Sequence, residues 1–515
     1  MGDRIHITTA IFYSNGPPHV GHAGEAIAAD TFARYYRRKL GRDNVSFVTG
    51  TDEHGEKNYR AAKAQNLSPK AFADKISAQF KESFAALGID YDFFVRTTDP
   101  AHEKFVQKML ARHFECDEIY FKNYEGLYCI GCERYYTGKE LLPGNICPEH
   151  KTVVETVREA NFFLKLEKYR AAIRDHIERN PDFIRPQRYR NEALRMLDEP
   201  LSDLCISRPK ARLDWGIELP FDTNYVTYVW YDAFWAYLSE LPDTDDSALK
   251  KILPLTEHFI GKDILKTHAV YWPAMLMAVG LPLYRSLNVH GFMNFGGERF
   301  SKSSGNMMDP VRYEREYGKD VLRYFLLRDV VYGLDADFSE ERIVDRYNAD
   351  LANNLGNLLS RVLSMAARYF NGEVTANPGA GREEIDTDLH KIFQTLPDRA
   401  AMMVEELAFS RALETIWNAL DAANKYVVAT APFTLAKDPS RLPRVAEILA
   451  NLLEGLRVAA DTLHPFMPAA SQQLLELLSV APGTARLPFG TGIKKGHRVK
   501  PATPLFPRID KAARK

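Results

Sequence analysis

Residues 5–22 read Ile-His-Ile-Thr-Thr-Ala-Ile-Phe-Tyr-Ser-Asn-Gly-Pro-Pro-His-Val-Gly-His, and this stretch decides the fold. The run 5–13 is apolar and β-prone, and the residues directly after it are typical of a turn. A helical pattern follows and ends at Gly41. We therefore predict a strand, a loop and a helix, the unit that in α/β proteins points a helix N-terminus at a phosphate.

Two histidines stand where this predicted helix begins. His19 and His22 are three residues apart, so a helical backbone puts both rings on one side. Gly21 between them has no Cβ, which lets a flat ring approach the backbone closely. Imidazoles at a helix N-terminus can donate hydrogen bonds to phosphate oxygens whose charge rises during attack at phosphorus. The alternative is that both histidines are ordinary polar loop residues.

A second segment, residues 299–306, reads Arg-Phe-Ser-Lys-Ser-Ser-Gly-Asn and carries Lys302. A lysine in a loop of small residues is a compact point charge that suits a polyphosphate, although most such loops are ordinary surface loops. The histidine and lysine segments occur in this order and about 280 residues apart. Together they resemble the HIGH and KMSKS signatures of class I aminoacyl-tRNA synthetases.

The composition narrows the class of protein. At 515 residues the chain is too long for one hydrophobic core, so several structural units are expected. With 45% hydrophobic residues, 26% charged residues and a net charge of −1, it is neither collagen-like nor disordered. This charge balance does not indicate nucleic-acid binding, so any RNA contact must come from local basic patches.

Three further features predict a cytoplasmic protein. There is no apolar run of about 18 residues, so we expect no membrane-spanning segment. The N-terminal residues lead directly into a strand pattern, which argues against a signal peptide. The five cysteines are few and odd in number, as suits a reducing compartment.

Further strand patterns predict a parallel sheet with a site at the ends of its strands. Residues 45–58 read as a strand that ends in a polar loop carrying Asp52 and His54, and ligands of open parallel sheets bind at the carboxyl ends of strands. The alternative for Asp52 is a helix cap. Strand patterns resume at 225–230, 258–260 and 287–289, so an insertion of about 100 residues splits the sheet. Helices are predicted at 68–87, 100–115, 231–241 and 264–279, and residues 160–205 also read as helical.

Two matched spacings predict a metal site in the insertion. Each pair of candidate ligands has two residues between its members, and 14 residues separate the pairs. Thiolates and an imidazole so spaced suit tetrahedral zinc, and four protein ligands leave no open position for water, so we expect a structural ion. Coincidence among buried cysteines is the alternative. The predicted ligands are Cys129, Cys132, Cys147 and His150.

The chain becomes helical after Gly318. Apolar residues recur at helical spacing in 349–370, 388–430 and 443–464, which predicts an antiparallel bundle. A linker near 371–386 separates two of its helices. The tail from Lys494 onward is basic and interrupted by prolines, so we expect it to be extended, either as a solvated surface or against a tRNA backbone.

Longer stretches resemble the methionyl-tRNA synthetase family, and the resemblance covers almost the whole chain. They are residues 8–16, 49–55, 128–134, 228–233, 259–275 and 504–509. The resemblance implies an α/β fold with a class I Rossmann-like catalytic domain, split by a zinc-knuckle insertion and followed by an α-helical anticodon-binding bundle. The implied domains are the first catalytic half at 1–118, the insertion at 119–223, the second catalytic half at 224–290, the KMSKS-loop region at 291–347, the anticodon-binding bundle at 348–490 and the basic tail at 491–515.

The resemblance also implies an activity. The methionine carboxylate would attack the α-phosphorus of ATP, magnesium pyrophosphate would leave, and no enzyme nucleophile would be needed. The 2′-hydroxyl of the terminal adenosine of tRNA(Met) would then attack the methionyl-adenylate. Both initiator and elongator tRNA would be charged, for translation initiation and elongation. Mg²⁺ would accompany ATP, and one zinc ion would be structural.

The family's site residues can be carried over by position. The pocket for the methionine side chain would be lined by Ile11, Tyr13, Trp230, Ala233, Tyr237, Ile264 and His268, with Asp52 on the ammonium group. His268 or Tyr13 would hydrogen-bond the sulfur weakly. ATP would be bound by His19, Gly21, His22, Glu25, Gly261, Asp263 and Lys302. Arg208 would join His19, His22 and Lys302 as a catalytic cation, and the anticodon would be read by Asn357, Arg361 and Phe433.

The chain departs from the family pattern at four positions. Arg299 and Phe300 replace the first Lys and the Met of KMSKS, but residues 301–303 are retained, so we expect activity. Phe234 replaces a smaller residue beside the methionine pocket. Phe433 replaces a tryptophan that stacks on a base, with less area and no indole N–H.

A purely structural zinc protein is the weakest alternative, because the predicted knuckle accounts for only a small part of the chain. Two further alternatives have a function in RNA metabolism. One is a class I synthetase for cysteine or a branched aliphatic amino acid, which the small insertion and its complete ligand set argue against. The other is a synthetase-derived RNA-binding protein without catalysis, which the two intact signatures argue against. The chain ends soon after its basic tail, without an additional OB-fold domain, so we expect a monomer.

Overall fold

The computed structural model describes residues 4–131, 134–136, 138–148, 151–295, 298–299, 309–379 and 383–510. The chain divides into two compact units. The first comprises residues 1–29, 36–85 and 89–291, and the second comprises 30–35, 86–88 and 292–515.

Thirteen strands lie in the described part of the first unit. They are β1 Ile5–Tyr13, β2 Val45–Asp52, β3 Phe93–Arg96, β4 Ile119–Cys129, β5 Arg134–Tyr136, β6 Glu155–Leu164, β7 Ile184–Arg185, β8 Leu204–Cys205, β9 Ser207–Pro209, β10 Glu218–Leu219, β11 Asp222–Thr227, β12 Thr256–Gly261 and β13 Ser286–His290. The α-helices that begin in this unit are α1 Val20–Leu40, α2 Glu56–Ala64, α3 Pro69–Ala86, α4 Pro100–Glu115, α5 Arg170–Arg179, α6 Gln187–Met196, α7 Val229–Ser239, α8 Asp246–Ile252 and α9 Trp272–Ala278.

A six-stranded parallel sheet in the order β3-β2-β1-β12-β13-β7 forms the centre of the first unit. β1 is buried along almost its whole length, as expected for a strand covered on both faces of a parallel sheet. Its buried threonines are satisfied across the sheet: Thr9 Oγ1 lies 2.7 Å from Thr49 Oγ1, and Thr8 Oγ1 lies 2.7 Å from His258 Nδ1. The carboxyl ends of β1, β2, β12 and β13 therefore lie side by side.

Two smaller sheets follow in the insertion. The order β5-β4-β6-β8 is antiparallel throughout, and β10-β11-β9 is antiparallel as well. Near the end of β4, a small cluster buries Cys129, Tyr136, Cys147 and Val154 together. This cluster is separate from the large apolar core that surrounds the parallel sheet.

The second unit is mostly helical. In the described residues of this unit, three short strands form one sheet in the order β15-β14-β16. They are β14 Met293–Phe295, β15 Glu298–Arg299 and β16 Ala336–Phe338. A π-helix at Tyr347–Gly356 runs directly into α13. The α-helices are α10 Pro310–Tyr317, α11 Lys319–Asp329, α12 Glu340–Arg346, α13 Asn357–Phe370, α14 Glu384–Glu405, α15 Phe409–Thr430, α16 Pro432–Leu435, α17 Leu442–Leu463, α18 Pro468–Leu477 and α19 Pro482–Ala485.

A buried ion pair on α17 holds the segment after α19. Arg457 and Glu454 are fully buried, and Arg457 donates to the carbonyl oxygens of Ala485 and Leu487 at 2.6 and 2.8 Å. Glu454 accepts the backbone N–H of Ile493 at 2.8 Å. Both charges are satisfied by backbone as well as by each other, which is the condition under which a buried ion pair is tolerated.

Residues 494–510 of the basic tail contain no helix, and their backbone is held by other residues of the second unit. Tyr347 Oη donates to Pro507 O at 2.8 Å, and the side chain of Asn348 bonds both backbone groups of Ile509 at 2.9 and 3.0 Å. Leu505 is buried. The backbone of residues 494–510 is therefore docked rather than loose.

Most helix predictions are confirmed, and two predictions are wrong in part. Residues 160–205 contain α5 and α6 but also the end of β6 and the strands β7 and β8. The predicted strand 225–230 ends at Thr227, and Val229 already begins α7. Because a short run of β-branched and aromatic residues is buried equally well as strand or helix, periodicity does not separate the two.

In the ranges that the structure describes, no helix has both the length and the apolar content needed to cross a membrane.

Candidate active site

His19 and His22 cap the N-terminus of α1 reciprocally. His19 Nδ1 accepts the backbone N–H of Gly21 at 3.1 Å, and His22 Nδ1 accepts the backbone N–H of His19 at 3.3 Å. The two rings stack with centroids 3.7 Å apart. This is the geometry of a capping box, with imidazole nitrogens in place of the usual side-chain oxygens.

The cap also determines where the ring protons are. A ring nitrogen that accepts an N–H carries no proton, so each neutral imidazole has its proton on Nε2, on the other side of the ring. The ring of His22 packs edge-on against Phe12, with centroids 5.1 Å apart, and lies 5.2 Å from Phe80. Both histidines are thereby prepared as Nε2–H donors at a helix N-terminus, which favours an anion.

Gly21 is required by the His19 ring. A Cβ at this position would lie 2.9 Å from His19 Cε1, which is closer than carbon atoms approach without displacement. The sequence analysis predicted that a flat ring could approach the backbone of Gly21 closely. In the structure, the imidazole of His19 is such a ring.

The residues predicted for the methionine side chain are buried or partly buried in the first unit, and all except His268 belong to its large apolar core. Tyr237 Oη lies 2.7 Å from His268 Nε2, and His268 Nδ1 lies 2.9 Å from the carbonyl oxygen of Ile264. The carbonyl only accepts, so Nδ1 carries the proton and Tyr237 donates to Nε2. Burial lowers the pKa of His268 to about 4, so the ring is neutral at physiological pH.

Both residues predicted to donate a hydrogen bond to the methionine sulfur already make hydrogen bonds within the protein. His268 Nε2 is an acceptor, and Tyr13 Oη donates to the carbonyl oxygen of His54 at 3.2 Å. The side chains that would line the methionine pocket are therefore mainly apolar and aromatic. Phe234, which departs from the family pattern, is buried beside His268, edge-on to its ring at 5.1 Å, and is stacked on Trp272 at 5.5 Å.

Asp52 ends β2 beside the end of β1 and is 4% exposed. Its carbonyl oxygen accepts from the backbone N–H of Ser14 at 2.9 Å and from Asn58 Nδ2 at 3.0 Å. In the same loop His54 Nδ1 lies 3.0 Å from Asp232 Oδ2 on α7. This pair ties the loop that carries Asp52 to the helix that carries Trp230, and burial raises the pKa of Asp232.

Glu25 and His290 form a contact that sequence reasoning missed. Glu25 Oε1 accepts the backbone N–H of Ala10 at 2.8 Å, and Glu25 Oε2 lies 2.8 Å from His290 Nε2. His290 is the last residue of β13, so the strand-end rule that selected Asp52 would have selected it too.

Comparison with known proteins identifies the family. A family model described as tRNA synthetases class I (M) matches residues 5–153 and 145–363. The methionine–tRNA ligase of Caldanaerobacter subterraneus subsp. tengcongensis is 42% identical over 515 residues, covering 99% of this chain and 80% of that protein. The chain belongs to the methionyl-tRNA synthetase family. The methionine–tRNA ligase of Deinococcus radiodurans is also similar, with 43% identity over 99% of this chain and 75% of that protein.

A solved structure agrees with this assignment. Mycobacterium tuberculosis methionyl-tRNA synthetase in complex with methionyl-adenylate superposes with a TM-score of 0.92 and 39% identity, covering 98% of this chain and all of that chain. The predicted family, the α/β class I synthetase fold with a helical C-terminal region, and the assignment as a methionine–tRNA ligase are confirmed.

Arg208 of this synthetase chain lies in β9 and is 2% exposed. Its guanidinium carbon lies 4.4 Å from the ring centroid of Tyr228 and 5.0 Å from that of Tyr128. Its Nη1 donates to Cys205 Sγ at 3.2 Å. The predicted catalytic cation is thus buried between two aromatic rings.

Several predicted residues lie outside the described ranges. Cys132, His150, Phe300 and Lys302 are among them, and the side chain of Arg299 is not described either. Cys129 and Cys147 are described and buried. Within the described ranges there is no group of three or more metal-ligating side chains.

The predicted anticodon residues of this synthetase are all in the second unit. Asn357 and Arg361 are exposed and one turn apart on α13. Phe433 lies on α16 with half of its side chain exposed.

A Gly21→Ala variant tests the histidine cap. Because the new Cβ would push against the His19 ring, we expect methionyl-adenylate formation to fall about tenfold or more. Alanine favours a helix, so thermal stability should not fall in parallel. The measurement is single-turnover adenylate formation together with the melting temperature.

Gly24→Ala is the matched control, because a Cβ on Gly24 of the same helix meets nothing within 4 Å. Equal rates for Gly21→Ala and the wild type would show that the ring position is not required.

Proposed function

We propose that the chain activates L-methionine with ATP and transfers it to tRNA(Met), both initiator and elongator, at the carboxyl ends of β1, β2, β12 and β13. The observation that carries the proposal is the pair His19 and His22, whose Nδ1 atoms accept backbone N–H groups and leave the ring protons on Nε2. The helix whose N-terminus would bind the phosphates follows β1, the strand whose residues Ile11 and Tyr13 would line the methionine pocket.

In this proposal the pocket selects the side chain by shape and polarity. A thioether is apolar and polarizable, and aromatic rings give it favourable contacts. A protonated histidine would oppose such a ligand, and the low pKa of His268 keeps that ring neutral. Asp52, ending β2, supplies a carboxylate for the substrate ammonium group. The other proposed lining residues are Ile11, Tyr13, Trp230, Ala233, Tyr237 and Ile264.

The nucleotide would lie along α1 and the end of β12. His19 and His22 would donate to the phosphates, Gly261 and Asp263 would bind the ribose, and Glu25 would lie beside them. Mg²⁺ would enter with ATP and offset phosphate charge. Lys302 and Arg208 would supply further positive charge as it develops at the α-phosphorus.

Catalysis would then consist of positioning and charge stabilisation. The methionine carboxylate oxygen attacks the α-phosphorus, the bond to the β-phosphate oxygen breaks, and pyrophosphate leaves. In the second step the 2′-hydroxyl of the terminal adenosine attacks the carbonyl carbon of the adenylate, and AMP leaves. No side chain forms a covalent intermediate in this scheme.

The test is amino-acid-dependent exchange of pyrophosphate into ATP, measured with each of the twenty amino acids and without tRNA. Exchange is expected with methionine alone, since the pocket is apolar and the reaction precedes tRNA. Exchange with cysteine, leucine or isoleucine would contradict the methionine assignment. If no amino acid supports exchange, the chain is an RNA-binding protein without catalysis.

Lys302→Ala separates the phosphate site from the amino-acid site in this assay. The variant should form adenylate about 100-fold more slowly or worse, as the loss of one transition-state contact often costs. An unchanged single-turnover rate would remove the role given to Lys302.

A structural zinc ion in the insertion is the second part of the proposal. Cys129 and Cys147 come from different segments yet are buried in one small cluster with Tyr136, so two of the four predicted thiol and imidazole ligands already meet. The cluster contains few apolar residues, and a small core of this kind needs a further stabilising element. Cys132 and His150 would complete a tetrahedral set.

Purified protein is therefore expected to contain about one equivalent of zinc by elemental analysis. Cys132→Ser and His150→Ala should each lower the zinc content and the melting temperature, because binding stabilises the folded insertion. Cys116→Ser is the control, since Cys116 is exposed and outside the predicted set. Zinc-free protein with an unchanged melting temperature would refute the site.

Anticodon binding by the second unit is the third part. Trp417 Nε1 on α15 donates to Asp350 O in the π-helix at 3.2 Å. Further along both helices, Asn354 Nδ2 donates to Asp421 Oδ1 at 2.6 Å, and Asn424 Nδ2 donates to Asn354 Oδ1 at 2.9 Å.

These contacts set the register of the two helices, which advance in the same direction. Continued over the next two turns, this register would bring Asn357 and Arg361 beside the end of α15, where Val428 is 68% exposed and Phe433 follows at 50% exposed. Amide and guanidinium groups next to exposed apolar surface can hydrogen-bond base edges while a ring stacks on the base.

Phe433→Ala is expected to raise the KM for tRNA(Met) about tenfold, as the loss of one stacking ring does, without changing methionine-dependent exchange. Met402→Ala removes a similarly exposed apolar side chain from α14 and should change neither value. A Phe433→Ala enzyme with the wild-type KM for tRNA(Met) would contradict the assignment. The proposed monomer can be checked by sedimentation of the same samples.

A further inference from the structure

His290 and Glu25 cross the strand ends of the parallel sheet. Glu25 lies one helical turn beyond His22 on α1, and its two oxygens accept from Ala10 N and face His290 Nε2, each at 2.8 Å. Glu25 is 6% exposed. The contact joins α1, the helix that follows β1, to the end of β13, and β12 lies between β1 and β13 in the sheet.

The hydrogen bonds of His290 show how the ring is protonated. Its Nδ1 lies 2.7 Å from the carbonyl oxygen of Gly291, which only accepts, so Nδ1 carries a proton. Its Nε2 faces a carboxylate oxygen, and that contact also needs one proton. A proton on Nε2 makes the ring an imidazolium paired with the Glu25 carboxylate, whereas a proton on the Glu25 oxygen leaves both groups neutral.

Electrostatics support this pairing. Burial alone would lower the pKa of His290, but the hydrogen bond and charge of Glu25 raise it above its usual value. Burial raises the pKa of Glu25, and His290 opposes that rise. The charge of Asp263 raises the pKa of both groups, so it opposes the Glu25 carboxylate and favours the imidazolium.

The pair lies next to the proposed ribose site. A Cβ on Gly261 would meet Asp263 Oδ1 at 2.7 Å and His290 Cε1 at 3.6 Å. The Asp263 carboxylate and the His290 ring thus converge on the same point above Gly261. Without a positive ring, nothing from His290 would offset the two carboxylates, Glu25 and Asp263, beside the proposed ribose site.

We propose that His290 is a positioning residue for ATP: its imidazolium holds the Glu25 carboxylate beside the ribose and offsets the combined negative charge of Glu25 and Asp263. The inference rests on the proposed assignment of Gly261 and Asp263 to the ribose. The inference assigns a role to His290 beyond the proposed site residues. Its ring would act by holding Glu25 and would not contact the reacting atoms.

The first test is His290→Gln, which keeps one N–H donor for Glu25 but removes the charge. The KM for ATP in the methionine-dependent exchange is expected to rise at least about fivefold, since a buried charged group loses its partner. The KM for methionine should change less than about twofold. His176→Gln on α5 is the matched control and should leave both values unchanged.

The second readout is the pH dependence of kcat/KM for ATP, which a merely structural role would not shift. The groups that face Glu25 are His290 at the end of β13, Asp263 after β12 and Tyr237 on α7. Loss of the cation raises the pKa of Glu25 further, so activity in His290→Gln should begin to fall at a higher pH on acidification than in the wild type. Glu25→Gln should abolish that acid limb.

The outcomes separate this inference from the proposed function. A wild-type enzyme without methionine-dependent exchange contradicts the function itself. A normal wild type with an unchanged KM for ATP, an equal rise in the KM for methionine, or an unshifted acid limb in His290→Gln overturns the role of His290. If His290→Gln does not fold, Glu25→Gln carries the test, and an acid limb that persists in it refutes the pairing.

Discussion

The reciprocal cap of His19 and His22 at the start of α1 is the contact on which the rest of the site depends. Because each Nδ1 is occupied by a backbone N–H, the ring protons, the stacking of the rings and the first turn of the helix are determined together. The helix then sets Glu25 one turn later, in reach of Ala10 and β13. A small change at Gly21 would therefore affect both the histidines proposed to contact the phosphates and Glu25, which is proposed to lie near the ribose.

The parallel sheet brings the histidine cap close to the other residues that are proposed to bind the substrates. β1 lies between β2 and β12, so the residues that follow these strands come together at one edge of the sheet. Hydrogen bonds across the buried interior tie the loop of Asp52 to α7 through His54 and Asp232. The residues proposed to bind the amino acid and those proposed to bind the nucleotide are consequently connected through the same sheet.

The sequence predicted most helices and strands correctly, but it did not predict contacts between residues that are far apart in the chain. The strand at 5–13, the helix after it and the helix at 100–115 follow from local pattern alone, and the structure has them at these positions. The buried aromatic run at Trp230 was misassigned because either backbone conformation would bury it. The Glu25–His290 contact spans 265 residues, and no local pattern encodes a pairing at that distance. The direction of the ring protons is likewise set by three-dimensional contacts, although the residues themselves were found.

The order of the sheet has a consequence for how the chain folds. Thr8 of β1 contacts His258 of β12 across 250 residues, whereas β4 and β6 pair within one continuous stretch of the insertion. Closing a long loop costs entropy before its contacts form, so the small antiparallel sheets can assemble early and β1 acquires its second neighbour late. During synthesis on the ribosome, one edge of the strand that carries the active-site loop thus remains unpaired until more than half of the chain has emerged. The insertion is therefore synthesised while the parallel sheet still lacks β12 and β13. Because β4 and β6 pair over a short stretch of chain, the insertion can fold before these strands are added.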